Sequence, residues 1–198
     1  MVSFFKYSRF KQENTRTLLK AAVVAGTVIC LLITGLFWLS TLLTRFLGLP
    51  PSLELQPVSR IGGWAILLAG AALALWLFRY RSPTSMIVST YFTFGKMFTK
   101  SPISTLGGRT EPLVVDGPQR YVRHPLYLAA TIAFLGWAIV TGSTSFFIGV
   151  IFILLWFAFV QIPFEEKELR AIFGTQYVQY SKRVPMLIPF TKHPHQEE

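Results

Sequence analysis

Charged residues are absent from three blocks of the chain, Ala21 to Thr44, Ile61 to Phe78 and Pro125 to Phe164, and crowd the segments between them. At about 1.5 Å of rise per helical residue, the first two blocks reach across or nearly across a hydrocarbon core of roughly 30 Å. The third block is too long for one crossing. It is interrupted at TGSTS, residues 141–145, where glycine and hydroxyl residues suit a tight turn. The pattern predicts spans at about 20–45 and 60–80, then a helical hairpin whose arms start at Pro125 and finish near Pro163. FLGLPPSLELQPVSR, between the first two spans, holds three prolines and predicts a loop. SPTSMIVSTYFTFGKMF, residues 82–98, is apolar but short and rich in Ser and Thr, and predicts a short fifth membrane helix. Residues 99–124, with Gly107, Gly108, Gly117 and Pro118, read as an extended loop on the membrane surface. The expected fold is all-α, a polytopic integral membrane helix bundle of four spans plus that fifth helix. Membrane helices occupy 1–100, and a C-terminal region, 101–198, carries the hairpin.

Composition agrees. Of 198 residues, 52% are hydrophobic and only 14% charged, with a mean hydropathy of +0.48, which excludes an ordinary soluble domain. Cys30 is the single cysteine and lies in the first span, so neither a disulfide nor a thiolate metal site is expected. The net charge of +10 comes from basic residues that flank apolar blocks. That placement favours the bilayer surface over nucleic acid as partner. The first apolar run is too long for a signal-peptide core and lacks a following small-residue cleavage pattern, so it is expected to stay in the mature protein. SFFKYSRFKQ, near the N-terminus, mixes Phe with Lys and Arg and suits a short helix in the headgroup layer. Basic residues are dense before the first span, between Arg79 and Arg123, and after Lys167, whereas the hairpin tip has none. The positive-inside rule then puts the hairpin base in the cytoplasm. A crossing by residues 82–98 would move the N-terminus outside, against its five basic residues.

If the hairpin closes, its two ends meet at one membrane surface. Arg123 and His124 enter it and Glu165 and Glu166 leave it, so two basic and two acidic groups converge across some 40 residues of sequence. Pro125 suits the first turn of a helix, whose free N–H groups and positive dipole end attract an anion. The glutamates offer negative charge to a cation or to hydroxyl groups. A site with both signs suits a zwitterionic cofactor. Arg123 and His124 alone would serve equally well as interface anchors, with the glutamates capping the next helix; convergence from both ends favours the site. His193 and His195 lack further ligands at metal-site spacing, so no metal is expected. The five tryptophans suit packing or an interface belt.

GPQRYVRHPLYL, followed some 40 residues on by EEKELRAIFGTQYVQYSKRVPMLIPF, resembles the C-terminal region of the isoprenylcysteine carboxyl methyltransferase family, within the wider group of membrane phospholipid and isoprenylcysteine methyltransferases. The resemblance covers roughly residues 105–190. It runs in order: RHP-x-Y, a hairpin, EE-x-x-L-x-x-x-FG-x-x-Y-x-x-Y, then VP-x-x-IP. It implies S-adenosylmethionine as cofactor, in a pocket built by the hairpin region, with lipid access from the side. Carried over, Leu113, Val114, His124, Pro125, Leu126, Tyr127 and Glu165 would bind the cofactor. Gln119 stands at a cofactor-binding position where the family often has Tyr, and Gln161 stands where some members have a substrate-binding Arg.

The reaction so implied is methylation of the carboxylate of a prenylcysteine or similar lipid acceptor. A carboxylate is already a nucleophile at neutral pH, so alignment and dryness matter more than a general base. Arg123 or Arg120 would hold the carboxylate; if the acceptor were an amine, Glu166 would be the candidate proton acceptor. Arg123 and Glu166 are thus the expected catalytic residues. The alternatives are a phospholipid amine methyltransferase, an NADPH-dependent membrane lipid reductase, whose acid after RHP-x-Y is replaced here by LAAT, and a membrane scaffold. Ala69, Gly70, Ala71 and Ala72 would either leave room for a lipid tail or pack helices closely.

Overall fold

The structure, a computed structural model, describes residues 15–99, 113–189 and 191. The expected headgroup helix near the N-terminus, most of the loop after residue 99, and His193 and His195 lie outside them. The described chain is an all-α membrane bundle: α1 Thr15–Phe46, α2 Pro57–Phe78, α3 Pro83–Thr99, α4 Pro125–Thr141, α5 Thr144–Trp156, α6 Ile162–Phe173 and α7 Thr175–Arg183. A 3₁₀ turn at Gly117–Arg120 precedes α4. Three helical stretches, Leu18–Phe46, Pro57–Phe78 and Thr144–Phe173, are long and apolar enough to cross a membrane, and α4 is a shorter apolar helix.

The hairpin forms as its pattern predicts. Gly142 ends α4 with φ +67°, a left-handed conformation that glycine adopts freely, and its amide donates to the Ala138 carbonyl. The α1–α2 connector then covers the tip. Leu53 N donates to Gly142 O at 2.7 Å, and Thr144 N to Pro51 O at 3.2 Å. Backbone groups that an apolar surrounding would leave unsatisfied are paired in this way.

The second arm departs from expectation. Instead of finishing near Pro163, the chain stays helical from Thr144 through Phe173. A π-helical turn at Phe157–Gln161 bridges α5 to α6, with Ile162 N bonding Phe157 O. Pro163 occupies the first turn of α6. Its missing N–H and its ring would break a regular helix there, but the wide turn absorbs both. The acid pair therefore sits on a rigid rod rather than a loop.

α2 and α4 make the most extensive helix–helix contact, and α5 packs on both α4 and α1. Small residues set the α2–α4 spacing. A Cβ added at Gly70 would stand 2.7 Å from Ala133 N and 2.8 Å from Ala129 O, and one at Gly136 would strike the Leu67 backbone. Gly70 thus packs helices and leaves no room for a lipid tail, whereas Ala69, Ala71 and Ala72 face outward. Trp64 meets Trp137 edge-on at 6.4 Å near the tip, and Trp76 meets Tyr121 at 6.0 Å near the base.

α3 forms where expected, and its two ends show how it lies. It starts five residues after α2 ends beside the hairpin base. In its last turns Lys96 binds Glu168, two residues past the acid pair, at 2.6 Å, and Thr93 donates to the same carboxylate at 3.0 Å. Both ends of α3 therefore belong to the base end of the bundle. α1 runs the other way: Thr44, near its C-terminus, meets Ser145 at the tip, 3.3 Å between hydroxyls. Its N-terminus consequently shares the base end, so the conflict over the five N-terminal basic residues does not arise.

Close backbone approach at Gly70 and Gly136 leaves no flexible side chain to yield. Gly136→Leu should destabilise the bundle by at least 1–3 kcal/mol, read as a lower thermal midpoint in detergent. Ala71→Leu, on the outward face, should leave it nearly unchanged.

Candidate active site

The hairpin base is organised around Arg123, His124, Glu165 and Glu166. The backbone just before α4 is held by the C-terminal strap: Arg123 N donates to Pro185 O at 2.9 Å and His124 N to Met186 O at 3.2 Å. This gives the VP-x-x-IP element a physical role. Arg123 reaches Glu166 with one terminal nitrogen at 2.8 Å, and the other donates to Ser181 O at 2.9 Å. Glu166 also takes His124 Nε2 at 3.4 Å and Arg170, one turn later, at 3.3 Å.

His124 is 5% exposed and sits between the two acids, with Nδ1 3.6 Å from Glu165 Oε2. Burial disfavours its charged form, but hydrogen bonds to Glu165 and Glu166 and their negative charge outweigh that, so its pKa is raised above the ordinary value. The imidazole stacks on Tyr127, whose hydroxyl donates to Glu165 at 2.9 Å, and Tyr127 packs on Phe157 of the π turn at 4.6 Å.

Beside this cluster lies a cavity, part of it open to solvent. Nine of the ten expected site residues line it: Leu113, Val114, Gln119, Arg123, His124, Pro125, Leu126, Tyr127 and Glu165. Glu166 does not. Its carboxylate is spent on Arg123, His124 and Arg170, which holds the site together and leaves it poorly suited to accept a proton from a bound molecule. Arg120 is exposed and also outside the lining.

Other walls were not read from the sequence as site residues. α3 contributes Met86, Ser89 and Thr90, and Arg81 comes from the link before it. No motif marks these four; only the path of α3 brings them in. Leu77 of α2, Leu169 and Phe173 of α6, and Tyr177 and Tyr180 of α7 complete the lining. The last three belong to the FG-x-x-Y-x-x-Y element, and that spacing was the available signal. Gly174 turns the chain between α6 and α7 with φ +52°, and i, i+3 spacing puts both tyrosines on one face of α7. Tyr180 donates to Gln119 O at 2.7 Å, fixing the 3₁₀ turn. Three buried atoms of lining residues have no partner among the described residues: Gln119 Oε1, Arg123 Nε and the Tyr177 hydroxyl.

Removing the Glu166 carboxylate would strand Arg123 and His124, and breaking a buried pair commonly costs about 3–5 kcal/mol. Glu166→Ala should lower the thermal midpoint far more than Arg170→Ala, whose partner keeps two other cations. His124, with its raised pKa, adds stability that is fully present below about pH 6.5 and is lost as pH rises through the folded value. The fall in midpoint between pH 6 and pH 9 should shrink in His124→Gln.

Residues 58–176, more than half of the chain, match the phospholipid methyltransferase family. Among curated proteins, methanethiol S-methyltransferase 1 of Bradyrhizobium diazoefficiens is 31% identical over 130 residues, 65% of this chain and 43% of that protein. Protein-S-isoprenylcysteine O-methyltransferase B of Arabidopsis thaliana is 35% identical over 78 residues, 39% of this chain and 40% of that protein. The corresponding enzyme of Schizosaccharomyces pombe is 43% identical over 79 residues, 39% of this chain and 33% of that protein. The chain spans about half or less of the length of these relatives. No solved structure matches it. The matched stretch runs from α2 to the start of α7 and contains both halves of the hairpin base, and on that extent the chain belongs to the phospholipid methyltransferase family.

Proposed function

We propose that the chain is an S-adenosylmethionine-dependent membrane methyltransferase that holds its cofactor in the hairpin-base cavity and methylates a lipid-linked carboxylate of the prenylcysteine kind. The observation that carries this reading is a cavity that joins the RHP-x-Y and EE elements and whose lining residues include Gln119 and Tyr177, with Gln119 Oε1 and the Tyr177 hydroxyl buried and without a partner among the described residues. Buried polar groups left unpaired are uncommon and suit a polar ligand. Glu165, with His124 and Tyr127 behind it, offers negative charge to a cationic ligand group, and the start of α4 offers free N–H groups to an anionic one.

The cofactor supplies a methyl group already activated on a positively charged sulfur. The chain's own residues bind, align and exclude water. Pro125, Leu126 and Leu113 make the wall apolar beside the charged cluster. Arg123, immobilised by Glu166 and Ser181 O, presents a fixed positive charge to the acceptor carboxylate, and Arg81 lies in the same lining. Alignment of two reactants away from water contributes on the order of 7–11 kcal/mol. A prenyl tail would lose roughly 0.8 kcal/mol for each CH₂ drawn into water, so the acceptor enters from the bilayer and the cofactor from the aqueous side.

A small thiol is the second reading of the acceptor. It is favoured by two methanethiol S-methyltransferase relatives that align over 65% and 68% of this chain, although another aligns over 36%, against 39% to 51% for the isoprenylcysteine enzymes.

Calorimetric titration of detergent-purified protein should show binding of S-adenosylhomocysteine and none of NADPH, and His124→Ala or Glu165→Ala should weaken it at least tenfold, about 1.4 kcal/mol. Unchanged binding in both folded variants would overturn the site. With radiolabelled cofactor, N-acetyl farnesylcysteine should be methylated and its prenyl-free analogue should not. Transfer only to methanethiol, or only to an amine-bearing phospholipid, would replace the acceptor.

We also propose that the hairpin base faces the cytoplasm, because basic residues crowd it and the tip has none. Cysteines introduced at Ser143 and Gln196 should label from opposite faces of intact cells, Ser143 from outside; labelling of both from outside would overturn the topology.

A further inference from the structure

Tyr177 lies at the first turn of α7 with 1% of its surface exposed, one of the most fully buried large side chains of the described chain. Its ring packs beside Tyr180, 6.0 Å between centroids. The two tyrosines differ in one respect. Tyr180 gives its hydroxyl to Gln119 O, whereas the hydroxyl of Tyr177, a residue of the cavity wall, is buried and has no partner among the described residues. A buried hydroxyl without a partner loses its hydration and regains nothing, so phenylalanine would fill the same space with less cost to the fold. The hydroxyl is therefore unexplained by folding alone.

We infer that Tyr177 is a ligand-contacting residue whose hydroxyl donates a hydrogen bond to the nucleoside part of the bound cofactor; this rests on the cofactor reading above. Burial, with the negative charge of Glu166 and Glu165 outweighing Arg123, raises the Tyr177 pKa well above its ordinary value, so the hydroxyl keeps its proton and is available as a donor. The same negative surroundings favour a neutral acceptor, a ring nitrogen or a ribose oxygen, over a carboxylate. Gln119 Oε1, likewise unpartnered among the described residues, is an acceptor. Together they offer one donor and one acceptor, which suits a heterocycle bearing both.

The test compares wild type, Tyr177→Phe and Tyr180→Phe by thermal unfolding without ligand and by titration with S-adenosylhomocysteine and with 5′-methylthioadenosine, which lacks the amino-acid part. Tyr177→Phe should unfold at the same or a higher temperature than wild type, yet bind both ligands roughly tenfold more weakly. Tyr180→Phe, which breaks a hydrogen bond already made within the protein, should unfold at a lower temperature. Affinity of Tyr177→Phe within twofold of wild type, or a midpoint lowered as far as that of Tyr180→Phe, would overturn the inference. Weakening for S-adenosylhomocysteine alone would overturn the nucleoside assignment. If wild type binds neither ligand, the cofactor reading falls and this inference with it.

Discussion

Glu166 is approached by three cations, Arg123, His124 and Arg170, within 3.4 Å, while it is itself 8% exposed. In an apolar bundle an ionised carboxylate persists only with such company, because its desolvation must be offset by charge and hydrogen bonds close at hand. The partners come from different parts of the chain: two stand just before α4, the third is one helical turn further along α6. The same contact that makes the acid tolerable therefore ties the two ends of the hairpin together. Everything else at the base is arranged on that tie. Arg123 also grips Ser181 O, the strap at 185–186 fixes the backbone of Arg123 and His124, and His124 in turn orients Glu165.

Rigidity elsewhere delivers the remaining walls to this cluster. Gly63, Gly70 and Gly136 let α2 and α4 approach backbone to backbone, which fixes where α2 ends and so where Leu77 and Arg81 enter the cavity. The buried Lys96–Glu168 pair does the same for α3, bringing Met86, Ser89 and Thr90 to the lining. The π turn serves the opposite arm: it carries Pro163 through an unbroken rod and sets Phe157 against Tyr127. Between α1 and α5, Thr44, Ser40 and Ser145 satisfy their hydroxyls locally.

Much of this was legible because its cause is local or topological. Uncharged blocks of membrane length mark α1, α2 and the hairpin, and TGSTS marks the turn; closure of a hairpin then forces Arg123 and His124 against Glu165 and Glu166. The course of the second arm was not legible. Pro163 signals a stop in any regular helix, and only the preceding π turn, which no residue pattern announces, reverses that outcome. The ambiguous tract at 82–98 posed a different difficulty. Hydropathy measures transfer into lipid, whereas α3 is held by packing on α1 and by long-range polar contacts, among them the buried pair between Lys96 and Glu168, 72 residues apart. For the same reason Met86, Ser89, Thr90 and Arg81 carried no signal, while Tyr177 and Tyr180 carried one only as part of a spaced motif.

The site also sorts its polar groups into two populations. Glu165, Glu166, the terminal nitrogens of Arg123 and the Tyr180 hydroxyl have protein partners, and satisfied groups of this kind rigidify a buried network. Gln119 Oε1, Arg123 Nε and the Tyr177 hydroxyl have none among the described residues. The two populations are interleaved: Gln119 is held by Tyr180 through its backbone while its side-chain oxygen stays open, and Tyr177 is three residues from Tyr180 on the same helix face. Groups that must not move are thus bonded to the protein, and the groups beside them are left for something else to bond. A purely structural polar core would have no use for that division, since every open atom weakens it. A binding site needs both, because an open donor or acceptor is selective only when its neighbours hold it still.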